Sequence, residues 1–152
     1  MRAVNWTRHD SKKSLAAGSG KDLVARFLLD SDCLIDYLNG VPASVSLVRG
    51  LFNQGEQLCL CDVVIAEVWA GLSETAESKA LALTEPMDFL LAAPQISRQA
   101  GRWRYEYARR GIALSTTDVL IAAIAFAHNA TVVTGNVRHF PMPELSLLPL
   151  PR

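Results

Sequence analysis

Three acidic residues stand in stretches that are otherwise almost wholly apolar. Asp30 closes Arg26-Phe-Leu-Leu-Asp30, Glu67 lies inside Val63-Val-Ile-Ala-Glu67-Val-Trp69, and Asp118 precedes Val119-Leu-Ile-Ala-Ala-Ile-Ala125. An ionised carboxylate in apolar surroundings is costly unless something pairs with it. Three of them point to a shared partner, and a hard divalent cation makes the best use of several oxygen donors. Each acid also has a plainer reading. Asp30 suits a helix N-cap, although Ser31 is at hand for that work. Glu67 suits a polar stripe on a helix, and Asp118 a first helical turn, where the dipole favours an acid. Their positions at successive element ends favour a common site.

The elements that must carry these acids alternate between strand and helix. Leu23–Leu29 is an apolar run of strand length ending in Asp30, and Ser31 can cap an amphipathic helix through Leu38 that Gly40 ends. Pro42 to Gln54 reads as a second helix, with Pro near its start and Gly55 just past its end. Gln57–Cys61 reads as a short strand, with Asp62 as N-cap of a helix reaching Ala70, and Ser73 to Leu83 as another helix. Met87–Ala92 is ambiguous, and Pro94–Arg110 is a long polar helix. Thr116 is placed as the cap of the most apolar helix, Asp118–His128, ahead of a strand at Thr131–Thr134 and a weaker one at Leu145–Leu150. This alternation predicts an α/β fold, one α/β/α domain with a central parallel sheet flanked by helices. Ligands in such folds sit beyond the carboxyl ends of the strands, where Asp30, Asn136 and Asp118 can converge.

Composition bounds the rest. The 152 residues suit one domain. Fifteen basic residues balance fifteen acidic ones, so the total charge does not speak for a purely electrostatic nucleic-acid binder. Cys33, Cys59 and Cys61 are odd in number and lack zinc-site spacing, and they read as core thiols. The longest apolar run, Val119 to Ala127, is too short for a membrane helix, and the expected location is the cytoplasm. Residues 1–22 show no hydrophobic periodicity and no signal-peptide core. They are expected to be a flexible or mis-started extension ahead of a domain covering 23–152. Gly18-Ser-Gly-Lys21 fails as a phosphate loop, because Leu15 and Asp22 stand where Gly and Ser or Thr are needed.

Four blocks carry a resemblance to a known family. They are Phe27-Leu-Leu-Asp30-Ser-Asp-Cys-Leu-Ile-Asp-Tyr-Leu38, Val64-Ile-Ala-Glu67-Val-Trp-Ala-Gly71, Thr116-Thr-Asp118-Val-Leu-Ile-Ala-Ala-Ile-Ala125 and Val133-Thr-Gly-Asn136-Val-Arg-His-Phe140. In order and spacing they resemble the signatures of PIN domains, above all the VapC-type toxins of bacterial toxin–antitoxin pairs. The resemblance covers about residues 24–150. It implies a Mg²⁺- or Mn²⁺-dependent ribonuclease with Asp30, Glu67 and Asp118 as catalytic metal-site residues. Ser31 and Thr134 would orient the acids or a water. It further implies an RNA substrate, a cognate antitoxin in the active-site groove and a homodimer. The chemistry agrees, since carboxylate-held metal ions can activate water and stabilise a leaving oxygen. The chain departs from the family where a fourth acid is common. Asn136 offers a neutral oxygen instead, and His139, which reads as a surface histidine, occupies a frequent Asp position. One tight metal site is therefore expected.

The Pro94–Arg110 helix interleaves Arg98, Arg102, Arg104, Arg109 and Arg110 with Trp103, Tyr105 and Tyr107. A solvated face is the plain reading. A phosphate-binding rim of Arg98 and Arg102, joined by Arg138, is the functional one. Two rivals stay open. One is a binding module that keeps the fold without catalysis. The other is a phosphatase of the haloacid-dehalogenase kind, whose opening motif Leu28-Leu-Asp30-Ser-Asp32-Cys resembles. That chemistry further needs a phosphate-binding lysine, and Lys79 is the only lysine after Asp30.

Overall fold

The structure, a computed structural model, describes residues 24–151. The extension expected over residues 1–22 lies outside them. Five strands, β1 (Arg26–Leu29), β2 (Gln57–Leu60), β3 (Asp88–Phe89), β4 (Ala130–Thr134) and β5 (Leu147–Pro149), form one sheet in the order β3-β2-β1-β4-β5. Every pairing is parallel. Six helices flank it: α1 (Ser31–Leu38), α2 (Pro42–Asn53), α3 (Asp62–Trp69), α4 (Glu74–Thr84), α5 (Pro94–Arg109) and α6 (Thr116–Ala127).

A parallel sheet buried on both faces needs strands that are apolar throughout. Leu28 and Leu29 of β1 and Val132 and Val133 of β4 are fully buried. Each such side chain gains roughly 1.5–3 kcal/mol on leaving water. The ambiguous Met87–Ala92 run contributes the two-residue edge strand β3, paired with β2 at Cys59 and Leu60. At the opposite edge, Pro149 is tolerated in β5 because an edge strand has one side free of pairing. Gly40 and Gly55 follow α1 and α2 at φ +74° and +80°, which glycine adopts without the Cβ penalty. The three cysteines are free and buried, as core thiols. Burial pushes Cys59 and Cys61 up to about 11 and Cys33 higher still, which leaves them inert as nucleophiles. Among the described residues no helix is long and apolar enough to cross a membrane.

Three caps differ from expectation. Asp30 itself is the N-cap of α1, accepting from the Ser31 amide, and this frees the Ser31 hydroxyl for another partner. Ser115 rather than Thr116 caps α6, accepting from the Asp118 amide three residues on. Asp62 lies one residue inside α3, behind Cys61.

One core group is poorly served. Tyr37 is buried, its hydroxyl has no hydrogen-bond partner among the described residues, and burial pushes the phenol up to about 12. A buried unsatisfied hydroxyl costs about 1–3 kcal/mol. Tyr37→Phe is therefore expected to raise stability by roughly 1 kcal/mol, read as a higher urea midpoint with unchanged slope. A lower midpoint would mean that water or a partner satisfies the hydroxyl in solution.

Candidate active site

The strand order reverses between β1 and β4, so their carboxyl ends flank the crevice where open parallel sheets bind ligands. The register pairs Leu29 with Val133, and the Asp30 amide donates to the Val133 carbonyl at 3.0 Å. That pairing seats Asp30 next to Thr134. The Thr134 hydroxyl donates to Asp30 Oδ2 at 2.7 Å, and the Ser31 amide to Oδ1 at 2.8 Å. Burial pushes the Asp30 carboxyl up to about 6. The hydrogen bonds from Thr134 and Ser31 oppose that push, and the charges of Asp32 and Asp118 add to it. A carboxyl so placed is short of positive charge.

The other acids gather around it in different ways. The Ser31 hydroxyl, released from capping, donates to Glu67 Oε2 and also lies 3.4 Å from Asp30 Oδ1. One serine thereby ties the first turn of α1 to α3. Asp118 is close enough to Asp30 to act on its ionisation. Its Oδ2 accepts from the Ser115 hydroxyl at 2.6 Å and lies 3.4 Å from His139 Nδ1. The apolar setting expected for all three acids holds in full only for Asp30. Asp118 is half-buried and Glu67 is exposed, because α3 turns Val64 and Val68 inward and Glu67 outward.

The β4 exit closes the group. The Asn136 amide donates to Thr134 Oγ1 at 3.0 Å, and its Nδ2 to Asp32 Oδ2 at 3.1 Å. Asp30, Ser31, Glu67, Thr134 and Asn136 thus form one connected set, with Asp118 beside it. Asp32 joins the set through Asn136, and His139, an exposed histidine as expected, adjoins it through Asp118. Ser115, missed altogether, was readable from its place three residues ahead of Asp118, a spacing that suits a capping hydroxyl.

The arginines divide. Arg138 lies two residues past Asn136, exposed in the 3-10 turn Val137–His139. Arg98 and Arg102 are exposed on α5, and among the described residues neither forms an ion pair with the acids. Helices α5 and α6 are antiparallel. His128, at the end of α6, meets the Leu91 carbonyl just ahead of α5, and Arg104 near the far end of α5 reaches the Leu114 carbonyl. At the carboxyl end of α5, Arg109 and Arg110 lie over the Tyr105 and Tyr107 rings.

The donor set is carboxylate, hydroxyl and carboxamide oxygen, which suits a hard divalent cation. Among the described residues none of Asp30, Asp32, Glu67 or Asp118 pairs with a lysine or arginine. Nor do any three His, Cys, Asp or Glu side chains there stand close enough to grip one ion together. Magnesium does not require this, since it keeps several waters and takes one or two carboxylates directly.

Comparison with known proteins agrees with this geometry. The PIN domain family matches residues 27–142. Ribonuclease VapC19 of Mycobacterium tuberculosis is 37% identical over 121 residues, covering 78% of this chain and 95% of the relative. The structure of DNA-bound VapBC from Salmonella typhimurium superposes with a TM-score of 0.67 at 25% identity, covering 83% of this chain and 98% of that one. VapBC2 from Rickettsia felis, bound to a promoter DNA fragment, gives a TM-score of 0.74 at 24% identity, covering 83% and 99%. By its match over most of its length, its 37% identical relative and its parallel sheet with acids at the switch point, this chain belongs to the PIN-domain family, among the VapC ribonucleases.

Proposed function

We propose that this chain is a divalent-metal-dependent endoribonuclease, acting in the cytoplasm as the toxin of a type II toxin–antitoxin pair. The observation that carries the reading is the group of carboxylates at the β1–β4 switch point, headed by the buried Asp30, none of which pairs with a lysine or arginine among the described residues. Asp30 and Asp118 would hold Mg²⁺ or Mn²⁺, with Glu67 completing the acidic set. A cation bound there supplies Lewis-acid polarisation of a phosphodiester and a more acidic water. The chain's own part is orientation. Thr134 and the Ser31 amide hold Asp30, Ser115 holds Asp118, and the Ser31 hydroxyl holds Glu67. Arg138, two residues past Asn136, would meet RNA phosphates together with Arg98 and Arg102. The VapC relatives support an antitoxin as protein partner, and a homodimer is part of the same proposal.

The phosphatase reading loses its lysine. Lys79 Nζ donates to the Leu38 carbonyl at 2.7 Å, at the end of α1 remote from Asp30. That is about 12 Å away along an eight-residue helix.

One titration tests the proposal. Mg²⁺ or Mn²⁺ added to metal-free protein should stabilise it by about 2.7 kcal/mol at a hundredfold excess over the dissociation constant. The same titration should switch on endonucleolytic cutting of single-stranded or looped RNA, which enters a rim site more readily than a duplex. Chelator should reverse both effects, and Glu67→Gln should weaken both. Stabilisation without cleavage would favour the binding module, and phosphomonoester hydrolysis with RNA intact would favour the phosphatase.

A further inference from the structure

The carboxylate of Asp32 accepts three hydrogen bonds from backbone and amide donors. Its Oδ2 accepts from the Gly135 amide at 2.8 Å and from Asn136 Nδ2 at 3.1 Å, and its Oδ1 accepts from the Cys33 amide at 2.7 Å. An ionised carboxylate only accepts. The Asn136 carboxamide therefore has one allowed orientation, with Nδ2 toward Asp32 and Oδ1 turned away. Among the described residues Oδ1 takes part in no hydrogen bond. The Asn136 backbone is held too, through Thr134 Oγ1, the same hydroxyl that donates to Asp30. Asn136 is thus one hydroxyl away from the deepest acid of the site, and its free atom is a hard neutral oxygen.

We infer that Asp32 is a positioning residue that orients the Asn136 amide so that Oδ1 faces the cation or its water shell. The inference rests on the metal-dependent reading above. Without the anchor, the amide would present Nδ2 or Oδ1 with similar ease, and an NH₂ group toward a cation is repulsive. The anchor also accounts for a neutral residue at 136. An acid there would face the Asp32 carboxylate and lose the hydrogen bond that aligns it. Asp32 and Asn136 are in this sense a matched pair across the β1–β4 crevice.

A double-mutant cycle on Mn²⁺ affinity, read by electron paramagnetic resonance of free Mn²⁺, tests this. Asp32→Ala and Asn136→Ala are each expected to weaken binding by about 10–100-fold, the usual cost of losing a partner that orients a metal site. The double variant should be no weaker than Asn136→Ala alone, because Asp32 acts through Asn136. Asn136→Asp should bind no more tightly than wild type. In metal-free protein the Asn136 side-chain amide resonances should shift on losing Asp32. If Asp32→Ala does not fold, Asp32→Asn is used in its place, since its single oxygen cannot serve both the Cys33 and the Gly135–Asn136 donors. Wild-type affinity in the Asp32 variant, additive losses in the cycle, or unmoved Asn136 resonances would each overturn the inference. Asp30→Asn is the control that separates the two readings. If it keeps full Mn²⁺ affinity, the metal site itself is misplaced. If it loses Mn²⁺ while the Asp32 and Asn136 variants bind normally, only the positioning role fails.

Discussion

Asp30→Asn and Asp118→Asn should each lower RNA cleavage by at least about a hundredfold, because even residues that merely support a metal site cost 10–100-fold when removed. Neither change should unfold the protein. Asp118 projects from the first turn of α6, and its apolar neighbours Val119 and Ile121 carry the packing instead. Asp30 is buried, yet Asn can keep the hydrogen bond from the Ser31 amide and place its own NH₂ against Thr134 Oγ1. Cleavage measured with Mg²⁺, beside thermal midpoints measured in chelator, separates the two effects. Near-normal cleavage by either variant would remove that residue from the site, and a collapsed midpoint would make it a structural acid.

The second large effect is on stability in the absence of metal, and its sign is unusual for an aspartate. Burial holds the folded-state carboxyl of Asp30 at about 6, against 3.8 for the unreacted side chain. Between those values the folded state binds more protons than the unfolded state, so this group's contribution to stability falls as pH rises. Below pH 3.8 it costs nothing, and above about 6 the full penalty applies, on the order of 3 kcal/mol. Most aspartates behave in the opposite way, gaining partners and stabilising as they ionise. Asn at position 30 does not titrate. The difference in urea stability between Asp30→Asn and wild type in chelator should therefore widen from pH 4 to pH 7, with the variant the more stable at neutrality. A difference that stays flat across that range would show that Asp30 is not held in its neutral form by burial. Divalent metal should abolish the wild type's disadvantage, because the cation removes the reason for the raised value.

Both predictions depend on residues that were legible in the chain to different degrees. Asp30 was the most legible. An acid at the end of Phe27-Leu-Leu is odd for a strand, and the parallel sheet makes that end a ligand-binding rim. The alternation of elements was equally plain, because the periodicity and the Gly40 and Gly55 stops act over a few residues. Glu67 was reached by a partly mistaken route. Its neighbours are apolar in sequence, but a helix presents only one face to the core, and Val64 and Val68 use that face. What ties Glu67 to the site is the Ser31 hydroxyl, a contact between residues 36 apart in the chain.

The local sequence by itself determined the kind of element at each point, the acids at element ends and the buried character of β1, β4 and α6. Propensity, hydrophobic pattern and chain stops all operate within a turn or two of helix or strand. Only the tertiary structure decided which polar groups meet. The β1–β4 register brings Thr134 to Asp30 and Asn136 to Asp32 across about a hundred residues. The meeting of the Ser31 hydroxyl with Glu67, 36 residues on, is likewise tertiary. The antiparallel pairing of α5 with α6, fixed where His128 meets the Leu91 carbonyl and Arg104 the Leu114 carbonyl, is also a result that helical spacing within α5 alone cannot contain. A hydrogen bond needs its two atoms within about 3 Å, and distances of that size between remote segments are set by how strands register and helices pack.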